Sequence, residues 1–170
     1  MSMATRSVSI EPVVKTVTLS CTPEEAFRYF TADFGVWWPA ATHSVVAYAS
    51  QFKAEPSTVI LEPRLFFSGR IFERTDGGED HAWGSVLVWQ PPTRLAFSFH
   101  PGRDAQEAQT VEVTFSPAPD GTQVVLMHSG WEKLHANPQE ARDSYNAGWQ
   151  GVFVTVHADY VGTRRALHSR

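Results

Sequence analysis

The chain has 170 residues, enough for one domain that hides roughly 70% of its unfolded surface without disulfide or metal staples. A formal charge of −4 gives no pull toward phosphate backbones, and Arg164, Arg165 and Arg170 are too few to make a nucleic-acid-binding face. A lone cysteine, Cys21, excludes an internal disulfide, and no stretch approaches the ~18 apolar residues of a membrane helix, so a soluble cytoplasmic protein without membrane insertion is expected.

Residues 1–12 carry no periodicity and are expected to form a flexible leader before a single domain over 13–163 and a basic tail over 164–170. Alternation from Val13 to Leu19 predicts a first strand with Val13, Val17 and Leu19 on one face beside Lys15. Thr22-Pro23-Glu24-Glu25 combines a cap, a first-position proline and a capping-box glutamate, so a short helix starts there and buries Ala26, Phe27 and Phe30. Val36-Trp37-Trp38-Pro39 reads as a second short turn stopped by proline.

Between Ser57 and Gly130 the helical period vanishes. Strands are expected at 57–62, 65–74, 81–90, 94–100, 109–116 and 121–129, punctuated by Asp76-Gly77-Gly78, Pro91-Pro92 and Pro119-Asp120-Gly121. Hairpin following hairpin means an antiparallel meander. Asn137-Pro138-Gln139-Glu140 repeats the helix-start signal, now with Asn137 as cap, and Tyr145, Trp149, Val152, Phe153, Val156 and Tyr160 place an aromatic stripe on a helix running to about Val161. Gly148 and Gly151 near that stripe imply close approach to the sheet. These elements bury their apolar faces together only if the sheet curls around the long helix, an α+β helix-grip fold with a space between helix and sheet.

Strand alternation assigns the faces. Leu65, Phe67, Gly69, Ile71 and Glu73 point inward, as do Leu95, Phe97 and Phe99, then Val111, Val113 and Phe115, and finally Thr122, Val124, Leu126 and His128. For 81–90 the pattern does not choose between Trp83, Ser85, Leu87, Trp89 and the opposite set. Aromatic residues make up 12% of the chain, with six tryptophans, so either the core is unusually aromatic or some rings line a cavity.

The motifs Trp37-Trp38-Pro39, Thr42-His43-Ser44, Gly69-Arg70-Ile71-Phe72-Glu73, Trp83-Gly84-Ser85-Val86, Trp89-Gln90-Pro91-Pro92, His128-Ser129-Gly130-Trp131 and Gly148-Trp149 stand in an order that resembles SRPBCC proteins of the heat-shock-ATPase-activator-homologue type, over about residues 13–163. Ser68 before Gly69 departs from that family's frequent Gly-Gly pair. The resemblance implies the START-like, birch-pollen-allergen-like fold and a superfamily of lipid and hormone carriers, aromatase/cyclases and a co-chaperone domain linked to the stress response.

The expected function is binding of a small hydrophobic or aromatic molecule between sheet and C-terminal helix, against Trp37, Trp38, His43, Phe67, Ile71, Glu73, Trp83, Phe97, Phe99, Val113, Leu126, His128, Trp131, Trp149 and Phe153. Trp37, Trp38, Trp83 and Trp131 are expected near the cavity mouth, with core packing as the alternative for each. Glu73 and His128 are the candidates for acid and base in a cyclase- or hydratase-like enzyme, the structural alternative being an ordinary hydrogen-bonded pair. His43, Glu73, His128 and His157 stand on separate elements and no HxH, HExxH or CxxC spacing occurs, so neither metal nor cofactor is expected. Cys21 at a helix start is read as a small buried hydrophobe rather than a nucleophile. A homodimer and a heat-shock ATPase partner are further expectations, the second carried only by the family's name.

Overall fold

The structure, a computed structural model, describes residues 10–39, 57–62 and 69–168. Strand β1 (Val13–Leu19) leads through helices α1 (Pro23–Thr31) and α2 (Phe34–Trp37) to β2 (Ser57–Glu62), β3 (Arg70–Thr75), β4 (Asp80–Gln90), β5 (Arg94–Phe99), β6 (Gln109–Ala118) and β7 (Gly121–Ser129). The chain ends in one long helix, made of α3 (Pro138–Trp149), a π-helical segment (Gln150–His157) and α4 (Ala158–His168). The strands form a single antiparallel sheet in the order β1-β7-β6-β5-β4-β3-β2, a meander whose last strand pairs with the first. It curls into a half-barrel gripping the C-terminal helix, the helix-grip α+β fold. Ile10 packs on the core, and Arg142 of α3 donates to the Glu11 and Pro12 carbonyls, so the fold engages the chain from Ile10 onward.

The inward rows are the predicted ones. Val13, Val17 and Leu19 of β1, Leu95, Phe97 and Phe99 of β5, Val111, Val113 and Phe115 of β6, and Thr122, Val124, Leu126 and His128 of β7 are all buried. Cross-strand partners such as Leu95 with Val113 and Val111 with His128 therefore lie on the same inner face. The α1 capping box is formed, with Glu25 N–H donating to Thr22 Oγ1 at 3.2 Å and Thr22 N–H to Glu25 Oε1 at 3.3 Å. Cys21 is buried in the core.

The predicted strand 65–74 is described over Arg70–Thr75; Leu65, Phe66, Phe67 and Ser68 lie outside the described residues, as does His43. Several other expectations are corrected. Ile71 and Glu73 point inward and are fully buried, yet Phe72 is buried too, although alternation turns it outward. Its ring is covered by guanidinium groups, Arg70 at 4.0 Å and Arg74 at 5.0 Å from the ring centroid. Asp80 holds both arginines across the hairpin, through a two-pronged bond from Arg74 (2.7 and 3.1 Å) and a contact from Arg70 at 3.6 Å. The hydrogen bond from Arg74 depresses the Asp80 pKa below its usual range.

Strand β4 escaped assignment because it carries two register irregularities, one opposite Ile71/Phe72 and one at Val86/Val88. Each adds a residue and reverses the alternation. Gly84 pairs with inward Ile71, Val86 with inward Phe97 and Trp89 with inward Leu95, while Trp83 is also fully buried.

The C-terminal helix differs from the predicted stripe in the same way. Trp149, Val152 and Phe153 are buried as expected, but Val156 is 37% exposed and His157 and Val161 take the inward places predicted for Val156 and Tyr160. A π-helical stretch inserts extra residues per turn, so the buried face moves on by one position after it. The helix continues to His168 instead of stopping near Val161. Asn137 is not a side-chain cap: it sits in the left-handed region at φ 48° and makes no capping hydrogen bond. Gly148 and Gly151 do not approach the sheet, because a Cβ at either would meet nothing within 4 Å.

These glycine environments predict opposite outcomes. A Cβ at Gly84 would collide with the Ser98 carbonyl oxygen on β5, so Gly84→Ala is expected to cost more than about 3 kcal/mol. Gly148→Ala, adding helix propensity where space is open, is expected to gain about 1 kcal/mol. Urea midpoints of the two variants against the parent measure both.

Candidate ligand-binding site

The concave face of the sheet is covered unevenly. The C-terminal helix lies along β1, α1 crosses β6 and β7, and α2 rests on β2. Between α1 and the β2–β4 side a groove of about 480 Å³ opens, within the range of small-molecule sites. Phe27, Leu61, Trp89, Pro91 and Pro92 supply its apolar lining, and Glu24, Arg28 and Thr31 line it from α1, with Ala32 just after the helix. The sequence explains this arrangement: Glu24, Phe27, Arg28 and Thr31 recur at three- and four-residue spacing on one side of α1. Leu61 and Trp89 share the inner face of their strands with their partners Ile71 and Leu95. Trp89 is half-buried and meets Phe27 edge-on at 5.0 Å, with Phe115 behind at 5.2 Å from Phe27. Among the described residues the exposed Arg28 guanidinium forms no ion pair, and it lies over the Tyr29 ring at 5.6 Å. The site therefore offers aromatic walls with one cationic group, Arg28, and one carboxylate, Glu24, from α1.

None of the expected ligand residues that the structure describes lines this groove; His43 and Phe67 lie outside the described residues. The structure instead joins most of them into one aromatic cluster under the C-terminal helix. Trp38 meets Trp83 at 5.0 Å and Trp149 at 6.0 Å, Phe99 meets Trp83, Trp149, Phe97 and His128, and His128 lies 4.1 Å from Trp131. Phe153 stacks on His157 at 5.2 Å, beside Trp37 at 4.8 Å. Val113 and Leu126 form the floor on β6 and β7. The four tryptophans placed at a cavity mouth by sequence reasoning are all buried, Trp38 most exposed among them at 8%. Of the groove residues, Phe27 was read as core and Trp89 was lost in the β4 ambiguity; the three- and four-residue spacing of Glu24, Phe27, Arg28 and Thr31 was the signal available.

His128 is a fully engaged neutral imidazole. Trp149 Nε1–H donates to its Nδ1 at 2.9 Å, which places the ring proton on Nε2, and that nitrogen faces Gln109 Oε1 at 3.1 Å. Gln109 in turn donates to the Glu107 carbonyl, and Trp131 Nε1–H donates to the His128 carbonyl at 3.1 Å. Burial pushes the His128 pKa down to about 3. Its only lone pair is taken by an indole, so it has none to offer a substrate proton. Gln109 shares the inward row with Val111 and was legible as such from the two-residue period.

Glu73 is fully buried on the inner face of β3, with three strands, β4, β5 and β6, between it and β7 in the sheet order. No element brings it beside His128, whose ring neighbours are Phe99, Trp131, Tyr145 and Trp149. His157 is the opposite of His128: fully buried among Phe30, Trp37 and Phe153, with neither ring nitrogen hydrogen-bonded, and its pKa pushed down to about 4 by burial. Among the described residues no group of three or more His, Cys, Asp or Glu side chains is placed to hold a metal, and no helix is long and apolar enough to cross a membrane.

Residues 20–156 match the family of Activator of Hsp90 ATPase homolog 1-like proteins, and the chain belongs to that family. No curated protein matches it. Among solved structures it is similar to an anthrahydroquino-gamma-pyrone synthase, Txn09, complexed with SUM, at 32% identity over 82% of this chain and 87% of that one, with a TM-score of 0.50. The AHSA1-like protein of Aeromonas hydrophila shares the fold at 20% identity, covering 90% and 93% of the two chains with a TM-score of 0.58. A protein of unknown function from Staphylococcus aureus does so at 14% identity, 91% and 95% coverage and a TM-score of 0.62.

The two buried histidines set an acid limit on stability. Both pKa values lie below that of an unfolded histidine, near 6.5, so the unfolded chain binds more protons and each histidine's contribution is complete above pH 6.5 and lost as pH falls toward 4. The expected loss is up to about 1.4 kcal/mol per pH unit for each histidine. His157→Leu, which removes two unpaired buried nitrogens, should fold at least as stably at pH 7 and show a shallower acid slope in urea titrations between pH 7 and 4.5; an unchanged slope would contradict this account.

Proposed function

We propose that this member of the Activator of Hsp90 ATPase homolog 1-like family binds a small hydrophobic, aromatic molecule on the concave side of its sheet. One observation carries the reading: the apolar groove of about 480 Å³ between α1 and the β2–β4 side, walled by Phe27, Trp89 and the Pro91-Pro92 turn. It replaces the sheet–helix space as the point of ligand contact, because the described side chains there pack on one another. Burying a flat ring against Trp89 and Phe27 removes apolar surface from water on both partners. Arg28 then favours a ligand with an anionic or oxygen-bearing edge. Likeness to a synthase named for an anthrahydroquinone and a γ-pyrone supports a fused, oxygenated aromatic as the ligand class.

That same likeness, at 32% identity, favours a second reading in which the bound molecule is chemically converted. Since His128 has no nitrogen lone pair to spare, Glu73 is the remaining member of the expected acid–base pair. Under this reading Glu73→Gln loses turnover of an aromatic ketone library, followed by mass spectrometry, while ligand binding persists.

The binding reading is checked with 8-anilinonaphthalene-1-sulfonate, an aromatic anion. Saturable, blue-shifted emission is expected at one site. Trp89→Ala should weaken it by about tenfold or more and Arg28→Ala by a smaller factor, with folding intact by circular dichroism. Absence of saturable binding, or equal affinity in Trp89→Ala, overturns the groove as the site.

A further inference from the structure

We infer that the C-terminal helix has a second register, selected by protonation of His157, in which Gln150–His157 rewinds as ordinary α-helix, Val156 takes the core place of His157, and Tyr160 leaves Asp33.

The observed register is unfavourable at both positions it exchanges. Val156 is 37% exposed, while the fully buried imidazole of His157 has neither nitrogen hydrogen-bonded. The winding behind this exchange is itself rare: π-helix occurs mostly as single-turn bulges, and here it runs for eight residues. Gly151 lies inside the segment and Gly148 just before it. A Cβ at either would meet nothing within 4 Å, so no neighbour holds the backbone against rewinding.

The sequence carries the other register intact. Counting on from Trp149 at α-helical spacing brings Val152, Phe153, Val156 and Tyr160 to the core side, in place of the observed Val152, Phe153, His157 and Val161. His157 then moves to the half-buried direction now held by Ala158, where water reaches it. Tyr160 enters where Val161 stands. Helical side chains lean toward the N-terminus, so its ring extends into the space that the imidazole vacates beside the smaller Val156. The hydroxyl bond from Tyr160 to Asp33 Oδ2, 2.7 Å long, marks the observed register and is lost in the other. Asp33 joins α1 to α2, so the change of register releases that corner.

Protonation selects the register because a cation has no partner in the present box. Phe30 of α1, Trp37 of α2 and Phe153 of the same helix surround the ring, and none of them titrates. Among the described residues, the charged groups of the elements packed there are engaged or turned to solvent. Lys15 of β1 bonds Gln150, Asp33 accepts from Tyr160, Glu25 caps Thr22, and Glu24, Arg28, Asp159 and Arg164 are exposed. The α-helical register binds the extra proton, so its share rises as pH falls. The midpoint lies between the pKa of the buried ring, about 4, and that of an exposed histidine, near 6.5.

The test is thiol accessibility, because acid unfolding exposes a side chain whereas the register change hides one. Val156→Cys and its exposed neighbour Thr155→Cys are reacted with 4,4′-dithiodipyridine, with buried Cys21 as the common background. From about pH 7 to about pH 4 the rate at 156 relative to 155 should fall at least roughly tenfold, and adding His157→Leu should abolish the fall. A ratio that stays level or rises as pH falls overturns the second register. Should the variants fold poorly, methyl NMR of the parent chain decides. The Val156 signals, assigned by their absence in Val156→Ala, should become shielded from a soluble paramagnetic agent as pH falls while helical circular dichroism persists. Signals that stay accessible, or helicity lost as His157 titrates, also overturn it. Both readouts sit on the C-terminal helix away from the groove, so the register and the groove fail independently.

Discussion

A single neutral imidazole ties the end of the sheet to the C-terminal helix. His128 at the end of β7 receives the indole N–H of Trp149 on α3 through one nitrogen, faces Gln109 of β6 with the other, and offers its carbonyl to Trp131. The bonds run in a buried, aromatic setting where unmet partners are expensive, so they fix the rotation of α3 over the sheet as well as its position. With Trp149 anchored, the next inward side chains along the helix are determined by helical geometry. Everything the helix covers, and everything it leaves for α1 and α2, follows from that anchor.

The π-helical segment shows what the anchor imposes. Continuing as an α-helix from Trp149 would carry Val156 inward, the place its side chain suits; the wider turn brings in His157 and then Val161. The exchange leaves an apolar valine half in water and an imidazole in a box of Phe30, Trp37 and Phe153 without hydrogen bonds. That ring is flat, and it stacks on Phe153 at an interplanar angle of 12°, which a branched valine could not do. Shape complementarity against α1 and α2 has won over polar satisfaction at this position.

Sequence reasoning worked where one period governed a whole element. The rows through Phe97, Val113, Leu126 and His128 alternate without interruption, and Thr22-Pro23-Glu24-Glu25 forms the capping box its residues announce. It lost its footing wherever one extra residue entered, since a shift of one reverses a strand's faces and rotates a helix's stripe. The irregularities in β4 hid Trp89, and the π turn hid His157. Phe72 failed for another reason. Its burial comes from Arg70 and Arg74 laid over the ring and held by Asp80, a tertiary cover that no local pattern of the strand encodes. Likewise Asn137 before Pro138 has the composition of a cap but a left-handed backbone that points its side chain elsewhere.

The groove itself follows from dimensions. Seven strands at ~4.8 Å spacing make a sheet roughly 29 Å across, and one helix with its side chains is roughly 10–12 Å wide. The helix anchored at His128 therefore serves the β1–β7 side and cannot also close the far one. Helix α1 covers β6 and β7, and α2, only one turn long, reaches β2. The inner face at the Leu61 and Trp89 ends of β2 and β4 is left with α1 on one side and the Pro91-Pro92 turn on the other. Filling that gap from within would require larger side chains than Thr31 and Ala32 at the C-terminal end of α1. Their small size keeps it open, and a protein of this fold built with bulkier residues there would have a complete core and no groove.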